Sequence, residues 1–518
     1  MKLQTPNFRL QIALAAILML FAAPILARPS NVNNWHNSKM NKDSQIETVF
    51  LPNRSPLISF RIQFLVGAAA DPQGKEGLAN LTAALLARGG SKNLTYDEIT
   101  RQFYPLATGF GAQVDKEMTT FVGTTHVDNL DKYFEIIRQM LLDPGFRAED
   151  FARIKTDQIN YLKTSLRQGN DEELGKEQLY SIIYAGTPYA HPNAGLISSL
   201  ENLTLADVQD FYRQNYTRAH LVLGLSGNFD NKFKETMLTA FAQLPTGERA
   251  KTNFKIEPKL DSGTKVEIVA RETRATAISL GFPISVNRAS KDYAALAVVA
   301  SFLGQHRSSN SYLYQRLREA RGLNYGDYAY IEYFPRGMFQ FEPDPNLARQ
   351  SQIFQIWIRP VEPNNAQFAL RAALYEFDKL VKNGMSEENF AATREFLSKY
   401  VNIQTQTQDA ALGYALDSRY YKIPDFNRYM KENLAKLTLA DVNAALKKHL
   451  ASNALRVVMV TKDAAALKNA LVANQPSPIK YNSEKPAAIL TEDKIIENYQ
   501  INLKPADVTI TPVEKVFQ

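Results

Sequence analysis

A six-residue segment, Leu-Thr-Leu-Ala-Asp-Val, occurs twice in this chain of 518 residues, at 203–208 and again at 437–442. In each copy a threonine stands three residues before an aspartate, which is close to the capping-box pattern that begins a helix. A short helical stretch follows each copy, and an apolar strand pattern comes next, at 221–225 and at 455–460. A shared capping solution could explain six identical residues, but the repeated strand favours duplication. The sequence therefore predicts two halves of similar fold.

The duplication sets the expected domain boundaries. We assign the N-terminal half to 28–245 and the C-terminal half to 266–475, joined by a polar linker at 246–265. Residues 476–518 begin with several prolines and predict an irregular C-terminal tail. Because 518 residues exceed what a single hydrophobic core can organise, we expect each half to divide further, giving about four subdomains.

The N-terminus has the features of a signal peptide at 1–27. Lys2 and Arg9 form a positive leader, an apolar run follows from 10 to 26, and Ala27 marks the cleavage position. We therefore expect an exported, periplasmic protein. Retention of this segment as an N-terminal anchor is the alternative, and no second long apolar run follows it.

Composition excludes several kinds of function. The net charge of +7 is mild, and no cluster of lysine and arginine is dense enough for nucleic-acid binding. The chain has no cysteine, which excludes disulfides, cysteine-based zinc sites and cysteine nucleophiles. No Gly-x-Ser-x-Gly elbow is present. None of the six histidines forms a helical metal pair, and we expect His191, in a His-Pro loop, to be structural; a site assembled from distant histidines stays open.

The stretch 311–325 predicts a helix that stops at a glycine and turns directly into a strand. Leu313 and Leu317 lie one turn apart and predict a shared buried face. Gly322 is a natural left-handed helix stop. The tyrosine-rich run at 325–334 has the composition of a strand.

This stretch closely resembles the C-terminal-half motif of the M16 family, which holds the pitrilysin-like and mitochondrial-processing-type zinc peptidases. In that family an arginine of the helix and a tyrosine seven positions later hydrogen-bond the scissile carbonyl. The resemblance assigns these catalytic roles to Arg318 and Tyr325. A guanidinium and a phenol can stabilise the negative charge that peptide hydrolysis builds on one oxygen. The alternative is that both are ordinary structural residues.

A helix predicted over 77–88 resembles the same family but departs from its chemistry. At this place the family carries His-x-x-Glu-His, whose imidazoles hold zinc and whose glutamate acts as the base. The three positions are Asn80, Ala83 and Ala84 here. The run 151–171 also lacks the glutamate that the family uses as its third ligand. The resemblance thus implies no metal in this chain.

Two extended segments, 108–114 and 119–127, predict a β-hairpin around a charged turn. The family resemblance implies that this region supplies an exposed edge strand, on which an extended peptide adds as a further strand. Gly111 and Ala112 are small enough for backbone approach, and with Gln113 they are the expected substrate-binding residues. An ordinary hairpin is the alternative interpretation.

The resemblance as a whole implies an α+β protein of two M16-type halves in a clamshell architecture. In bacterial two-subunit members one subunit carries the zinc motif and the other carries the Arg/Tyr pair, and this sequence fits the second role. We therefore expect a non-catalytic subunit, with zinc in its partner and extended peptide or unfolded protein as substrate. The main alternative is a peptide-binding clamp or scaffold with no role in hydrolysis. The missing ligands argue against an independent metalloenzyme, and homodimer and heterodimer both stay open.

Overall fold

The repeated segment begins a helix in both halves of the computed structural model, which describes residues 46–248 and 256–518. The hydroxyl of Thr204 accepts the N–H of Asp207 at 3.2 Å, and the Asp207 carboxylate accepts the N–H of Thr204 at 2.8 Å. The second copy repeats this reciprocal pair of bonds. The capping box predicted from the sequence is therefore confirmed twice.

Each half is built on one mixed sheet. The N-terminal sheet has the order β1-β5-β2-β4-β3, and its strands are β1 (Glu47–Pro52), β2 (Leu57–Phe64), β3 (Gly109–Val114), β4 (Thr119–His126) and β5 (Leu221–Gly227). The C-terminal sheet has the order β11-β6-β10-β7-β9-β8, and its strands are β6 (Lys265–Ala270), β7 (Thr276–Ile284), β8 (Asp327–Tyr330), β9 (Gln352–Val361), β10 (Arg456–Thr461) and β11 (Val508–Pro512).

The two sheets repeat one topology. The strand after the repeated segment, β5 or β10, is wholly buried and runs parallel to the first strand of its half and antiparallel to the second. The third strand of each half, β3 or β8, lies at the sheet edge. This correspondence confirms two similar α+β halves.

Sixteen α-helices cover the sheets within the described residues. Those of the N-terminal half are α1 (Leu78–Arg88), α2 (Tyr96–Phe103), α3 (Leu130–Leu142), α4 (Ala148–Asn160), α5 (Asp171–Ile183), α6 (Ile197–Asn202), α7 (Leu205–Asn215) and α8 (Asn231–Phe241). Those of the C-terminal half are α9 (Tyr293–Gly304), α10 (Ala366–Asn383), α11 (Glu387–Gln404), α12 (Gln408–Tyr421), α13 (Phe426–Lys436), α14 (Leu439–Leu450), α15 (Ala464–Val472) and α16 (Ala487–Ile496). Two π-helical turns, Tyr161–Leu166 and Tyr314–Glu319, add to these.

The halves are joined by two helices, each of which packs against the sheet of the other half. Helix α5 packs against β7 and β10 of the C-terminal sheet, and α12 packs against β2 and β5 of the N-terminal sheet. The core cluster of the N-terminal half includes strand residues of the C-terminal sheet, such as Val458 and Val460. A smaller cluster joins Val222 of β5 to Leu412 and Leu416 of α12. The two halves therefore share buried contacts through these helices.

The C-terminal segment differs from the prediction of an irregular tail, which is wrong. It contains α16 and β11, and β11 extends the C-terminal sheet by pairing in parallel with β6. The chain then crosses to the N-terminal half, where Arg167 donates to the carbonyl of Val516 at 2.5 Å. The prolines that suggested irregularity lie before the helix, and Pro486 is its N-cap residue, where proline breaks no helical hydrogen bond.

The strand predicted at 325–334, the linker and the N-terminal segment have different outcomes. The strand predicted at 325–334 is confirmed only over β8, and the residues after it form a loop. Within the expected linker, residues 256–264 hold no helix or strand. The predicted signal peptide at 1–27 lies outside the described residues. In the part of the chain that is described, no helix is both long and apolar enough to span a membrane.

Candidate functional site

The turn that carries Arg318 and Tyr325 is built on a buried helical face. Leu313 and Leu317 are fully buried, as their spacing predicts. The N–H of Gly322 donates to the carbonyl of Arg318 at 2.8 Å, and that of Leu323 to Leu317 at 3.2 Å. Gly322 has φ +69°, in the left-handed region that favours glycine. The predicted glycine stop is confirmed.

Three arginines crowd this turn, and two of them hold the fold together. Arg316 bonds the buried Glu376 at 2.6 Å, and Arg321 bonds Asp493 at 2.8 Å. Both arginines also reach Glu492 of α16. These two guanidiniums tie the helix end to α10 and α16, so they are structural residues.

Arg318 is different because, among the described residues, no carboxylate of another element binds it. Its charged neighbour among the described residues is the adjacent Glu319, at 3.4 Å, and its side chain is 36% exposed. The Nε atom is buried without a hydrogen-bond partner in the described part of the chain. The terminal NH groups of this partly exposed side chain make no hydrogen bond to another described residue, so they can donate to a ligand.

Tyr325 is held by its backbone while its ring projects outward. The residue is 78% exposed, and its hydroxyl bonds no other described residue. The buried Asn324 side chain donates to Asp327 at 2.7 Å and to the carbonyl of Arg359 at 3.1 Å, and it accepts the N–H of Gly326 at 3.2 Å. The backbone on both sides of Tyr325 is thus fixed to the sheet.

Burial raises the pKa of Asp327, whose carboxyl group lies beneath this turn. Asp327 is fully buried, and burial raises its pKa from 3.8 to about 8 against the opposing hydrogen bond from Asn324. Its Oδ2 atom has no partner among the described residues. At neutral pH the Asn324–Asp327 contact is therefore a neutral hydrogen bond. Arg318 and Tyr325 share the turn, although no hydrogen bond joins their side chains.

Helix α1 carries no metal-binding group at the positions of the degenerate motif. Asn80 and Ala84 are partly exposed, while Ala83 is fully buried in the core. Two methyl groups and one amide offer neither the imidazoles nor the base that a catalytic zinc needs. Over residues 46–248 and 256–518, no group of three histidine, aspartate or glutamate residues could hold a metal. These residues do not fit a zinc centre.

The polar side chains around α1 hold the start of the helix in place. Asp71 accepts the N–H groups of Gly77 and Ala79 at 2.7 Å each, which caps the helix. Gln158 of α4 donates to the carbonyl of Gly77 at 3.0 Å. His191 lies nearby, and burial lowers its pKa to about 4, so its imidazole is neutral. Its position in this packed loop agrees with the predicted structural role.

Strand β3 lies at the edge of the N-terminal sheet, as the resemblance implies. It pairs with β4 on one side only, and Gly111 and Ala112 are exposed. A side chain added at Gly111 would meet no atom within 4 Å, so the sheet face at this residue is open. Gln113 is different because its amide donates to the carbonyls of Pro345 and Asn346, at 2.9 and 3.2 Å. The structure thus leaves two of the three expected substrate-binding residues free.

The charged turn of this hairpin is buried between the halves, which the sequence does not reveal. Asp115 accepts the Nε–H of Arg349 at 2.8 Å, and Glu117 accepts the N–H of Gln350 at 2.7 Å. Burial lowers the pKa of Lys116 to about 8. Each partner from the C-terminal half lies more than 200 residues away, so no local sequence signal marks the contact.

Two family models match this chain. The model described as "Insulinase (Peptidase family M16)" matches residues 51–195, and the model described as "Peptidase M16 inactive domain" matches residues 202–397. The first includes the degenerate motif on α1, and the second includes the turn with Arg318 and Tyr325.

Two Helicobacter pylori proteins of one strain (ATCC 700392 / 26695) are similar to this chain. The "Non-peptidase homolog YmxG" is 21% identical over 428 residues, which cover 78% of this chain and 89% of that protein. The "Zinc protease PqqE" is 22% identical over 307 residues, which cover 58% and 67%.

Two solved structures have a fold similar to that of this chain. A peptidase M16 inactive domain from Pseudomonas fluorescens superposes with a TM-score of 0.70 at 23% identity, over 80% of this chain and 95% of that chain. The first half of the periplasmic protease PqqL from Escherichia coli gives a TM-score of 0.62 at 15% identity, over 88% and 95%.

Proposed function

This chain belongs to the M16 peptidase family, and from that premise we propose that it is the non-catalytic subunit of an exported two-subunit zinc endopeptidase. A zinc-bearing M16 partner supplies the metal and the attacking water. This chain supplies Arg318 and Tyr325 as hydrogen-bond donors to the carbonyl oxygen of the scissile bond. The substrate is an extended peptide or an unfolded protein.

One observation carries the proposal: the motif turn presents uncommitted donors, while α1 of the same chain has no metal ligands. Arg316 and Arg321 are bound to carboxylates, whereas Arg318 is partly exposed and Tyr325 projects outward. In the transition state negative charge develops on one oxygen, which a guanidinium and a phenol stabilise. A scaffold alone gives no reason for an exposed tyrosine on a turn pinned at both sides.

The partner and the compartment rest on the relatives. One Helicobacter pylori strain holds both a non-peptidase homologue and a zinc protease that are similar to this chain. Such a pair is consistent with a division of labour between two subunits. The structural neighbour PqqL is a periplasmic protease. We extend that location to this chain together with the signal-peptide pattern at 1–27.

The second candidate is a peptide-holding clamp or scaffold without a role in hydrolysis. The open edge of β3 favours it, because an extended peptide can add there with no need for catalytic groups. The relative YmxG, described as a non-peptidase homologue, is also consistent with this role.

Purification from the native host, followed by mixing of separated subunits, tests the proposal. We expect a zinc-bearing M16 chain to copurify and a quenched unfolded peptide to be cleaved only by the mixture. The chain alone should hold no stoichiometric zinc. A single tightly bound zinc per chain, with chelator-sensitive cleavage by this chain alone, would exclude the non-catalytic role. Efficient cleavage by the partner alone would favour the clamp.

A further inference from the structure

The C-terminal half contains a cavity at the place that corresponds to the degenerate zinc motif of the N-terminal half. In the N-terminal half α1 packs against the edge strand β3 and against α4. In the C-terminal half α9 packs against the edge strand β8 and against α11. The space bordered by α9, β8 and α11 is therefore the duplicate of the family's metal site. It encloses a cavity of about 140 Å³.

The walls of this cavity expose more apolar than polar surface, although about half of the lining side chains carry a polar group. Helix α9 contributes alanines, and the loop after β8, α11 and α13 contribute larger apolar side chains. These include Ala297, Ala300, Ile331, Leu397, Val401 and Met430. An apolar cavity of about 150 Å³ accepts a molecule the size of benzene. The volume thus suits one aromatic or branched aliphatic side chain.

The charged groups in the walls are already paired within the chain. Arg288 bonds Glu332 at 2.9 Å and Asp417 at 3.2 Å, and Glu332 also accepts the hydroxyl of Tyr293 at 3.0 Å. The ring of His306 lies between the Tyr330 hydroxyl and a backbone carbonyl, at 2.7 and 2.8 Å. Asp344, the remaining charged wall residue, is paired with Arg336. Each charged wall group therefore has a partner among the described residues.

The segments that form the cavity wall also carry exposed aromatic side chains. Pro343 and Asp344, from the segment between β8 and β9, form part of its wall. The same segment carries Phe339 and Phe341, which are 73% and 68% exposed. Phe396 of α11 is also exposed. Large exposed apolar groups near an apolar cavity are typical of a surface that binds a partly hydrophobic chain.

We infer that this cavity binds a single uncharged apolar side chain, such as leucine, methionine or phenylalanine, of an extended peptide. The inference rests on the proposed function for the class of ligand, but it assigns a separate binding site that needs no metal. The cavity would select peptides by an apolar residue and hold them on the non-catalytic subunit. Its size sets the specificity, since a tryptophan is too large and a charged residue would lose its hydration.

Equilibrium binding of two peptides to the isolated full chain tests this site. The peptides are extended, fluorescently labelled and identical except for one central leucine that is replaced by serine. Burial of the leucine should make the leucine peptide bind about tenfold or more tightly. Ala297→Leu fills the cavity and should bring the affinity ratio close to one. Ala392→Leu makes the same change on the exposed face of α11, outside the cavity, and should keep the ratio.

A second measurement covers the case in which Ala297→Leu fails to fold. Toluene should raise the melting temperature of the wild-type chain and of Ala392→Leu, because an apolar ligand that binds the folded state stabilises it. The absence of a toluene effect on the wild type would overturn the inference. An unchanged ratio of the two peptide affinities in a folded Ala297→Leu chain would overturn it too. Loss of pairing with the zinc subunit in that variant would also overturn it, because the cavity would then bind the partner subunit and not the peptide. Because neither readout uses hydrolysis, failure of the proposed catalytic role would leave these results standing.

Discussion

Replacing Arg349 by alanine should destabilise the whole chain, because this residue joins the two halves through a buried ion pair. The side chains of Arg349 and Asp115 are 3% and 0% exposed. The guanidinium donates twice to the carboxylate and lies 3.6 Å from the centre of the Tyr333 ring. Burial opposes its charge, but the Asp115 carboxylate keeps the pKa of Arg349 above its usual range.

The magnitude follows from what the substitution leaves behind. Removing one partner of a buried pair costs about 3–5 kcal/mol, because the other charge stays buried and unpaired. Asp115 would keep one donor, the Asn193 amide at 3.0 Å, which places the electrostatic loss near the lower end. Loss of the stacking on Tyr333 adds about 1 kcal/mol. We therefore expect Arg349→Ala to lose about 4 kcal/mol of unfolding free energy.

Urea unfolding with a matched control measures this loss. Arg419→Ala breaks another ion pair between the halves, with Glu47 at 2.8 Å, but both of its side chains are partly exposed. That variant should lose less than about 1 kcal/mol. The double variant Asp115→Asn with Arg349→Met should recover much of the loss, since no charge is left unpaired. Arg349→Ala within about 1 kcal/mol of the wild type would refute the reasoning.

Three further predictions concern the site and the repeat. Burial raises the pKa of Asp327 to about 8, so the folded chain keeps a proton that the unfolded chain loses near pH 4, and stability falls as pH rises between these values. Asp327→Asn should remove this slope. The melting temperature of the variant minus that of the wild type should therefore rise from pH 5 to 8, and a difference that stays constant would contradict this. Arg316→Ala should lower the unfolding free energy by about 3 kcal/mol, because it leaves the buried Glu376 without its guanidinium. Arg318→Ala should lower it by less than about 0.5 kcal/mol. Equal losses in urea unfolding would mean that Arg318 is structural too. Thr204→Ala and Thr438→Ala should each cost about 1 kcal/mol by the same measurement, because each removes a cap in equivalent helices, and a clear inequality would count against equivalent repeats.

Local patterns in the sequence were sufficient to predict the duplicated fold and the shape of the motif turn. The repeated capping box, the leucine spacing and the glycine stop each act over a few residues, and all of them appear in the structure. The resemblance also implied that β3 lies at a sheet edge, and it does. The roles of Arg318, Tyr325, Gly111 and Ala112 toward a substrate stay predictions.

Long-range contacts account for what the sequence did not reveal. The turn Asp115-Lys116-Glu117 has the composition of a solvated loop, yet its charges are buried because Arg349 and Gln350 meet them from the other half. The sequence places Gln113 with its exposed neighbours, although its amide bonds the same distant segment. The sequence predicts an irregular tail because β11 forms a strand only through its pairing with β6. Each of these outcomes depends on a partner that is remote in sequence.

The most direct test of the proposed catalytic role is the kcat of a reconstituted pair, in which this chain is mixed with a zinc-bearing M16 subunit. Tyr325→Phe removes one hydroxyl and keeps the exposed ring, so assembly should be unchanged. If the hydroxyl donates to the oxygen that becomes charged, kcat on one quenched peptide should fall by about 10²–10³ while KM changes little. A kcat within about threefold of the wild type, with assembly confirmed, would contradict the account and favour a clamp or scaffold.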